Sequence, residues 1–442
     1  MNAGSPVGEP NSGPSRPWRY ALIAQRVWDG ISDAPRDRAA VVVDGDRIET
    51  VASVEDLTPE LPKLDLGDCT LMPALIDAHV HYSAVMGPAF LAAGVTTVRD
   101  VGNDLEWILM QRALNAAEPT RGPAIVCCGY LHEGPEAFWR HMARPNADAQ
   151  ALRASIRHHV MRGVDQIKLY DSLSLDLLSA GIDEAHRLNK CALAHVGLPT
   201  AEEAARAGLD EIQHLSRCDV AWKSATQQER DALIDVLIEC GVVLTPTLAL
   251  WDRLGRILDR SLHYDQRREW VHPTHLDMWN GYLTRFGPPE ERLSYQEPGP
   301  HQKRFLLRAH ERGVVIGLGS DTPFPHLVPG FSLHDELAMY VDAGIRPVDA
   351  LRSATSTNAR VLGIESRVGR LTAGLTADLI AVRGNPLSRI DDVSQITHVI
   401  RMGCLLDRQE MLHAVQATFA EQPDDAITND LLDYAHHRLK TQ

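Results

Sequence analysis

Short runs with the two-residue alternation of β-strands make up residues 18–72, and turn-forming residues separate them. From residue 73 the pattern changes, and short apolar strands alternate with amphipathic helical stretches. This alternation favours a closed parallel (β/α)8 TIM barrel, because no glycine-rich dinucleotide turn supports the alternative of a doubly wound open sheet. Eight barrel strands are predicted, at residues 71–81, 94–100, 124–128, 165–170, 191–195, 211–214, 242–247 and 314–321.

Strand-like runs return after the predicted barrel, at residues 369–374, 377–382 and 397–402. Neither end of the chain has enough apolar positions for its own core, so we predict one small discontinuous β-sandwich domain built from both ends. The predicted architecture is therefore α/β, with an aromatic-rich insertion in the barrel, at residues 250–301, that suggests a lid or a subunit contact. The predicted boundaries are a disordered leader at 1–17, sandwich parts at 18–72 and 363–408, the barrel at 73–362 and a helical tail at 409–442.

Composition narrows the class of protein and its partners. The 442 residues are 44% hydrophobic and 23% charged, which is ordinary for a soluble globular enzyme. The net charge of −15 argues against nucleic acid or an anionic membrane as partner, and no apolar run approaches the length of a membrane span. The seven cysteines are scattered without a C-x-x-C pair, so reduced thiols and a cytoplasmic location are expected. We expect a small-molecule substrate and a homo-oligomer.

The first predicted barrel strand ends in a His-x-His pair. Side chains alternate across a strand, so His79 and His81 face the same side and the apolar Val80 faces the other. Two imidazoles in this arrangement can hold one metal ion between them. An incidental polar strand end is the alternative, and residues further along the chain decide between the two.

Other polar residues follow at the ends of later strands, where a barrel of this type carries its chemistry. His195, His214 and Asp321 lie at such ends, and the alternation of strand 165–170 places Lys168 on the face opposite the apolar one. A barrel-facing ammonium is costly unless it is paired. One resolution is a salt bridge to Asp321, and the other is a carbamate formed with carbon dioxide. The carbamate is a carboxylate that can bridge two metal ions, and histidine with carboxylate ligands suits zinc.

This ordered set resembles the amidohydrolase superfamily, in particular its imidazolonepropionase-like and prolidase-like branch. The first matching stretch is Pro-Ala-Leu-Ile-Asp-Ala-His-Val-His, and the resemblance extends over roughly residues 18–403. Two positions depart from the family pattern, since Ala74 replaces a usual Gly and Gln213 a common Glu. The matching stretches are residues 73–81, 93–102, 165–168, 194–195, 211–214, 245–247, 319–321 and 377–379.

The resemblance implies two divalent metal ions, for which zinc is expected. One ion would be held by His79, His81 and Asp321, and the other by His195 and His214. Carboxylated Lys168 would bridge the two ions. A hydroxide between them would attack the scissile carbonyl, and Asp321 would carry the proton to the leaving nitrogen. The implied metal ligands are His79, His81, Lys168, His195, His214 and Asp321.

Two further residues are candidates for substrate contact. The family's Gly-Gly-His after the third strand is missing, and Leu131-His132-Glu133 is the nearest equivalent. His132 is therefore predicted, in a loop, as a catalytic group that polarises the carbonyl or as a substrate-binding group. Tyr170 is predicted to bind substrate, with filling of the barrel as the alternative.

These observations predict a metal-dependent hydrolase that cleaves an amide or another C–N bond. Dipeptides or N-acyl amino acids are the first expected substrates, and ureas, carbamates or lactones are also compatible. The alternative is a mononuclear deaminase or cyclic-amide hydrolase. Deaminases of this superfamily carry a catalytic Glu three residues after the third histidine, whereas this chain has Leu198 there and retains Lys168. A non-catalytic scaffold relative is disfavoured because no ligand is missing.

Overall fold

The computed structural model describes residues 19–257, 259–283 and 299–436. The predicted leader, residues 284–298 of the predicted insertion and residues 437–442 of the predicted tail lie outside the described residues. No helix in the described part of the chain is both long and apolar enough to cross a membrane.

Parallel strands form the wall of a barrel, with each strand hydrogen-bonded or bridged to the next. The third and fourth strands meet where the Asp165 backbone N–H donates to the Cys127 carbonyl over 2.9 Å. The extended segment 314–322 closes the ring, because Ile316 bridges to Leu244 and Thr322 to Val80. The predicted α/β barrel is confirmed. Its regular strands are Leu75–Val80, Val95–Asp100, Ala124–Cys127, Ile167–Leu169, Ala192–Ala194, Glu211–Gln213 and Val243–Thr245.

The eighth wall segment is in the predicted place but is not the regular strand that the sequence predicts for residues 314–321. Several of its backbone N–H groups donate to side chains instead of to a neighbouring strand. Leu318 donates to Asn358 Oδ1 and Ser320 to Asp77 Oδ1, each over 3.0 Å. Asp321 adopts a φ of 63°, a conformation outside the β region. The periodicity of the apolar residues cannot predict that backbone N–H groups donate to side chains from elsewhere in the chain.

Helices surround the barrel and begin and end at ordinary capping signals. Helix Ala149–Arg162, for example, begins after Asp148, whose side chain accepts the Ala151 N–H, and ends at Gly163 with a φ of 99°. The predicted helix at 346–362 is interrupted by the π-helical turn Ser353–Thr357. The remaining helices of the barrel region are Gly87–Ala92, Leu105–Ala117, Leu175–Arg187, Ala201–Arg206, Asp219–Trp222, Gln227–Cys240, Leu248–Gly255, Pro273–Leu283, Pro300–Glu311, Phe331–Asp342, Pro347–Arg352 and Asn358–Val361.

Strands from both ends of the chain form the second sheet, as the sequence predicts. Strand Cys69–Pro73 pairs antiparallel with Leu379–Arg383 and joins the two parts. Leu379 and Ala381 face the sheet's own core, whereas Ile380 and Val382 pack into the barrel core. The predicted strand at 369–374 is instead a series of turns. The other strands are Arg19–Val27, Arg36–Asp44, Arg47–Ser53, Lys63–Asp65, Ile396–Arg401 and Cys404–Leu406.

The C-terminal segment contains helices Arg408–Ala417 and Ala426–His436. Its position could not be predicted. The second helix packs on helix Pro273–Leu283. The Asp430 carboxylate accepts the backbone N–H groups of Arg140, His141 and Met142 over 2.8–2.9 Å, and Asp425 accepts the Ser83 hydroxyl. Because Ser83 lies two residues beyond His81, this helix covers the end of the barrel at which the predicted site lies.

Candidate metal centre

Three of the predicted ligands meet around one carboxylate. The Nε2 atoms of His79 and His81 lie 3.3 and 3.6 Å from Oδ1 of Asp321, and His214 Nδ1 lies 3.8 Å from its Oδ2. One ligand atom from each of His79, His214 and Asp321 lies within 4.8 Å of the others. All four side chains are buried. Strand alternation thus places both histidines of the His-x-His pair on the site side, and Val80 packs into the apolar core behind them.

The other two predicted ligands continue the same cluster. The His214 ring lies 4.4 Å from that of His79 and 4.8 Å from that of His195, centroid to centroid. Lys168 is buried beside these rings. Burial, followed by the charge of Lys168 when that amine is protonated, lowers the pKa of His79 and lowers the pKa of His195 to about 3. The imidazoles are therefore neutral, which is the form that binds metal.

Several buried ligand-type atoms in this cluster have no hydrogen-bond partner. Among the described residues they are Lys168 Nζ, His195 Nδ1 and Asp321 Oδ1. An unpaired buried polar atom is costly, and its presence in a native structure calls for an explanation. A set of imidazole nitrogens and a carboxylate is the donor set of zinc and related divalent ions. The residues present therefore fit a bound divalent metal.

Lys168 and Asp321 do not form the salt bridge that was the alternative to carboxylation, since no ion pair joins them in the described part of the chain. Burial is the main influence on both groups. It lowers the pKa of the Lys168 amine and raises the pKa of the Asp321 carboxyl. A buried neutral amine with a free lone pair is the form that reacts with carbon dioxide.

Hydrogen bonds to neighbouring polar groups orient the histidines, and in His214 the bonded nitrogen, Nδ1, is also the one that lies 3.8 Å from Asp321. His81 Nδ1 donates to the Gly102 carbonyl over 3.0 Å, and His214 Nδ1 bonds to the Thr247 hydroxyl over 2.6 Å. His79 Nδ1 bonds to Oε1 of Gln213. Gln213 donates its own Nε2–H to Glu211 over 2.5 Å, so only its oxygen faces His79 and His79 Nδ1 carries the proton. The Nε2 lone pair of His79 is thereby left facing Asp321.

A buried ion pair forms the floor of the site. Both terminal nitrogens of Arg99 donate to Glu211 over 2.6 Å, and Arg99 also bonds to Gln166 over 2.8 Å. The Thr245 hydroxyl donates to the same carboxylate over 2.5 Å. Sequence reasoning did not single out these residues or assign a role to Gln213. The signal was available, because each is a polar residue at an inward position of an otherwise apolar strand.

Asp77 ties the first strand to the last wall segment. Its carboxylate accepts the Ser320 hydroxyl over 2.6 Å and the backbone N–H groups of Ser320 and His79 over 3.0 and 3.1 Å. Burial raises the pKa of Asp77 to about 7. The Asp321 N–H donates to the His79 carbonyl over 2.8 Å. These bonds hold Asp321 in its left-handed conformation against the His-x-His pair.

The structure does not bring His132 to the centre. His132 lies in the short strand Leu131–Glu133 rather than in a loop, and its ring packs against His159 of an outer helix, 4.5 Å between centroids. The neighbouring Leu131 faces the other way, beside Gly102 and His81. Strand alternation therefore turns His132 away, and its predicted catalytic or substrate-binding role is not supported.

Aromatic side chains surround the metal-ligand candidates. Tyr170 lies 5.1 Å from His195 and Phe324 lies 5.8 Å from His81, centroid to centroid. Trp139 links the two, because its indole N–H donates to the Tyr170 hydroxyl over 3.1 Å and its ring lies 6.0 Å from Phe324. Burial raises the pKa of Tyr170, so the phenol stays neutral. Only Tyr170 was predicted, since the others come from loops whose positions depend on the complete fold.

Comparisons with known proteins agree with this geometry. A family model described as "Amidohydrolase family" matches residues 70–406. Among curated proteins the chain is similar to the imidazolonepropionase of Rubrobacter xylanophilus, with 34% identity over 88 residues, which is 19% of each chain. The matched stretch thus spans about a fifth of that relative's length.

Solved structures show the same fold over nearly the whole chain. One is a putative prolidase from Bifidobacterium longum, with 24% identity, 96% of this chain and 100% of that chain covered, and a TM-score of 0.71. Another is a Xaa-Pro dipeptidase with methionine bound in its active site, with 22% identity, 88% and 100% coverage, and a TM-score of 0.70. The family model over residues 70–406 shows that the chain belongs to the amidohydrolase family, and the solved structures show that it shares their fold.

Proposed function

We propose that this protein is a metal-dependent amidohydrolase that cleaves an amide or another C–N bond of a small molecule. The observation that carries the proposal is the convergence of His79, His81 and His214 on Asp321, beside a buried Lys168 amine without a partner. Dipeptides or N-acyl amino acids are the first substrate class. The prolidase and dipeptidase names of the structural neighbours support this choice.

The proposed cofactors are two divalent ions, with zinc expected. One ion would be held by His79, His81 and Asp321, and the other would be held by His195 and His214. Carboxylated Lys168 would bind both ions. When bound, the metal supplies a hydroxide nucleophile near neutral pH and polarises the scissile carbonyl. The fit of the buried nitrogen and oxygen donors to such ions supports this assignment.

Asp321 is the proposed proton carrier. Its Oδ1 lies at the centre of the cluster and has no hydrogen-bond donor among the described residues. A carboxylate in this position takes a proton during attack on the carbonyl and delivers it to the leaving nitrogen.

Tyr170 is the proposed substrate contact. The Trp139 N–H occupies a lone pair of the Tyr170 oxygen, and the phenolic proton has no acceptor in the described part of the chain, so it can donate to a substrate. Its acceptor would be the carbonyl oxygen of the substrate.

The test is hydrolysis of dipeptides, N-acyl amino acids, ureas, carbamates and lactones by zinc-loaded protein, with metal content measured on the same sample. We expect up to two ions per chain, amide cleavage, loss of activity on chelation and recovery when zinc returns. Full activity with at most one ion would contradict the binuclear proposal. Ammonia release without amide cleavage would instead indicate a deaminase.

A further inference from the structure

A cationic side chain without a carboxylate partner lies beside the loop that follows Asp321. Arg268, in the short helix Gln266–Trp270, donates to His326 Nδ1 over 3.1 Å, and its guanidinium lies 5.4 Å from the centre of the Trp279 ring. No carboxylate in the described residues forms an ion pair with it. Asp265, the acid that acts on Arg268 electrostatically, bonds through both oxygens to Arg267.

The contact with Arg268 also determines which nitrogen of His326 carries the proton. An arginine N–H can only donate, so His326 Nδ1 accepts and the proton resides on Nε2. His326 is 4% exposed, and its Nε2 is buried with no partner among the described residues. Burial, followed by the Arg268 charge, lowers the pKa of His326 to about 3, so the ring is neutral. A buried N–H donor without an acceptor is costly, so an acceptor atom from a ligand or a water would be stabilised at this position.

Arg268 and His326 belong to the same part of the molecule as the metal centre. Even a fully extended chain places His326 no more than about 18 Å from Asp321, and two turns shorten this distance. The Phe324 N–H donates to the Asp321 carbonyl over 3.3 Å, and the Leu327 N–H donates to the Phe324 carbonyl over 3.0 Å. Trp279, which supports Arg268, donates its indole N–H to the Pro323 carbonyl over 2.8 Å.

An uncompensated guanidinium is notable in a chain with a net charge of −15. Guanidinium matches a carboxylate through two parallel hydrogen bonds, and among the described residues only one of the Arg268 nitrogens has a hydrogen-bond partner. The remaining donors suit an anion rather than a neutral group.

We propose that Arg268 and His326 form a subsite for a carboxylate carried by the substrate. The inference rests on the proposed amidohydrolase function and deepens it. Such a subsite would favour amides that keep a free carboxylate, such as N-acyl amino acids and dipeptides, over neutral ureas and lactones.

The test compares N-acetyl-L-phenylalanine with its carboxamide, two probes that differ only in the anionic group. Binding to zinc-loaded protein is measured by stopped-flow tryptophan fluorescence before turnover, for the wild type and for Arg268→Met, His326→Phe and Arg260→Met. Arg260 is the matched control, because it is exposed, lies in the same segment and has no ion pair among the described residues. Thermal unfolding checks that each variant is folded.

We expect the wild type to bind the acid at least about ten-fold more tightly than the amide. Arg268→Met should reduce the ratio of acid to amide affinity to within about two-fold. The affinity for the amide should stay that of the wild type. His326→Phe should reduce it partly, and Arg260→Met should leave it intact. An absent preference in the wild type, or an equal loss in Arg260→Met, would overturn the subsite.

Three further outcomes separate the inference from the proposed function. A preference that survives Arg268→Met but disappears on zinc removal would assign the carboxylate to the metal and overturn the subsite. Acetate that competes as strongly as N-acetyl-L-phenylalanine would show a general anion site and overturn the substrate class. Hydrolysis with an unchanged preference in Arg268→Met would leave the proposed function standing and remove the subsite. Because binding precedes turnover, the Arg268 result holds even if no amide is cleaved.

Discussion

The floor and the mouth of the candidate site are built in different ways. On the floor, the Arg99–Glu211 ion pair bonds to Gln213, which in turn bonds to His79. Asp77 accepts hydrogen bonds from Ser320 and from the His79 backbone N–H. At the mouth, aromatic rings from several loops and the C-terminal helix surround the ligands, and His326 Nε2 has no partner within the described residues. The difference teaches that the floor fixes the orientation of the histidines, whereas the mouth retains polar donors that a ligand could satisfy. Four changes test this comparison.

The largest effect is expected between the two regions, at Asp321. Asp321→Asn keeps the side-chain shape and an oxygen for metal, but an amide cannot carry the proton. We expect turnover to fall by about 10³-fold or more, with metal content and thermal stability nearly unchanged. Steady-state kinetics on protein of measured metal content checks this. Near-normal turnover in the metal-replete variant would remove Asp321 from the proton-carrier role.

Lys168→Ala tests whether the buried amine is a metal bridge. If the amine is carboxylated, the variant should lose most bound metal and activity. Millimolar formate or propionate should then restore part of both, by occupying the vacated space. The measurement is the metal content with and without the added acid. The control is a high-resolution structure of the wild type, crystallised with bicarbonate. An unmodified amine between bound metals would exclude the carbamate.

Gln213→Leu tests the floor directly. The change removes the acceptor for His79 Nδ1–H, so His79 loses the bond that sets its tautomer. We expect metal affinity to fall by about 10–100-fold, measured by competition with a chelator. Gln213→Glu is the comparison variant, because it keeps an acceptor for His79 while it loses the N–H that Gln213 donates to Glu211. Equal metal affinity in Gln213→Leu and the wild type would show that the floor does not position His79.

Trp139→Phe tests the mouth and should have the smallest effect. It keeps an aromatic ring beside Phe324 but removes the N–H donated to Tyr170. We expect KM to rise a few-fold while metal content and metal affinity remain those of the wild type. The KM and kcat values of the best substrate, compared with those of Tyr170→Phe, are the measurement. Loss of metal in Trp139→Phe would mean that the mouth also supports the centre.

The sequence predicted the parts of this molecule that follow from periodicity within one strand or helix. The two-residue period placed His79 and His81 on one face and Lys168 toward the barrel interior, and strand ends placed His195, His214 and Asp321 nearby. The repeated βα pattern predicted the barrel, and the shortage of apolar residues at each end predicted the shared sheet. The same reasoning failed for His132, because the strand Leu131–Glu133 was interpreted as a loop and its alternation was not applied.

Only the tertiary structure decided contacts between residues far apart in the chain. Gln213 bonds to His79, which lies 134 positions away in the sequence. Asp430 accepts the backbone N–H of His141, which lies 289 positions away. The left-handed conformation of Asp321 depends on bonds to Asp77 and His79, and the Arg268–His326 pair depends on how two loops meet. Sequence periodicity gives the direction of a side chain relative to its own strand or helix. The partner at the end of that direction is determined by barrel closure and loop packing, which are properties of the whole chain.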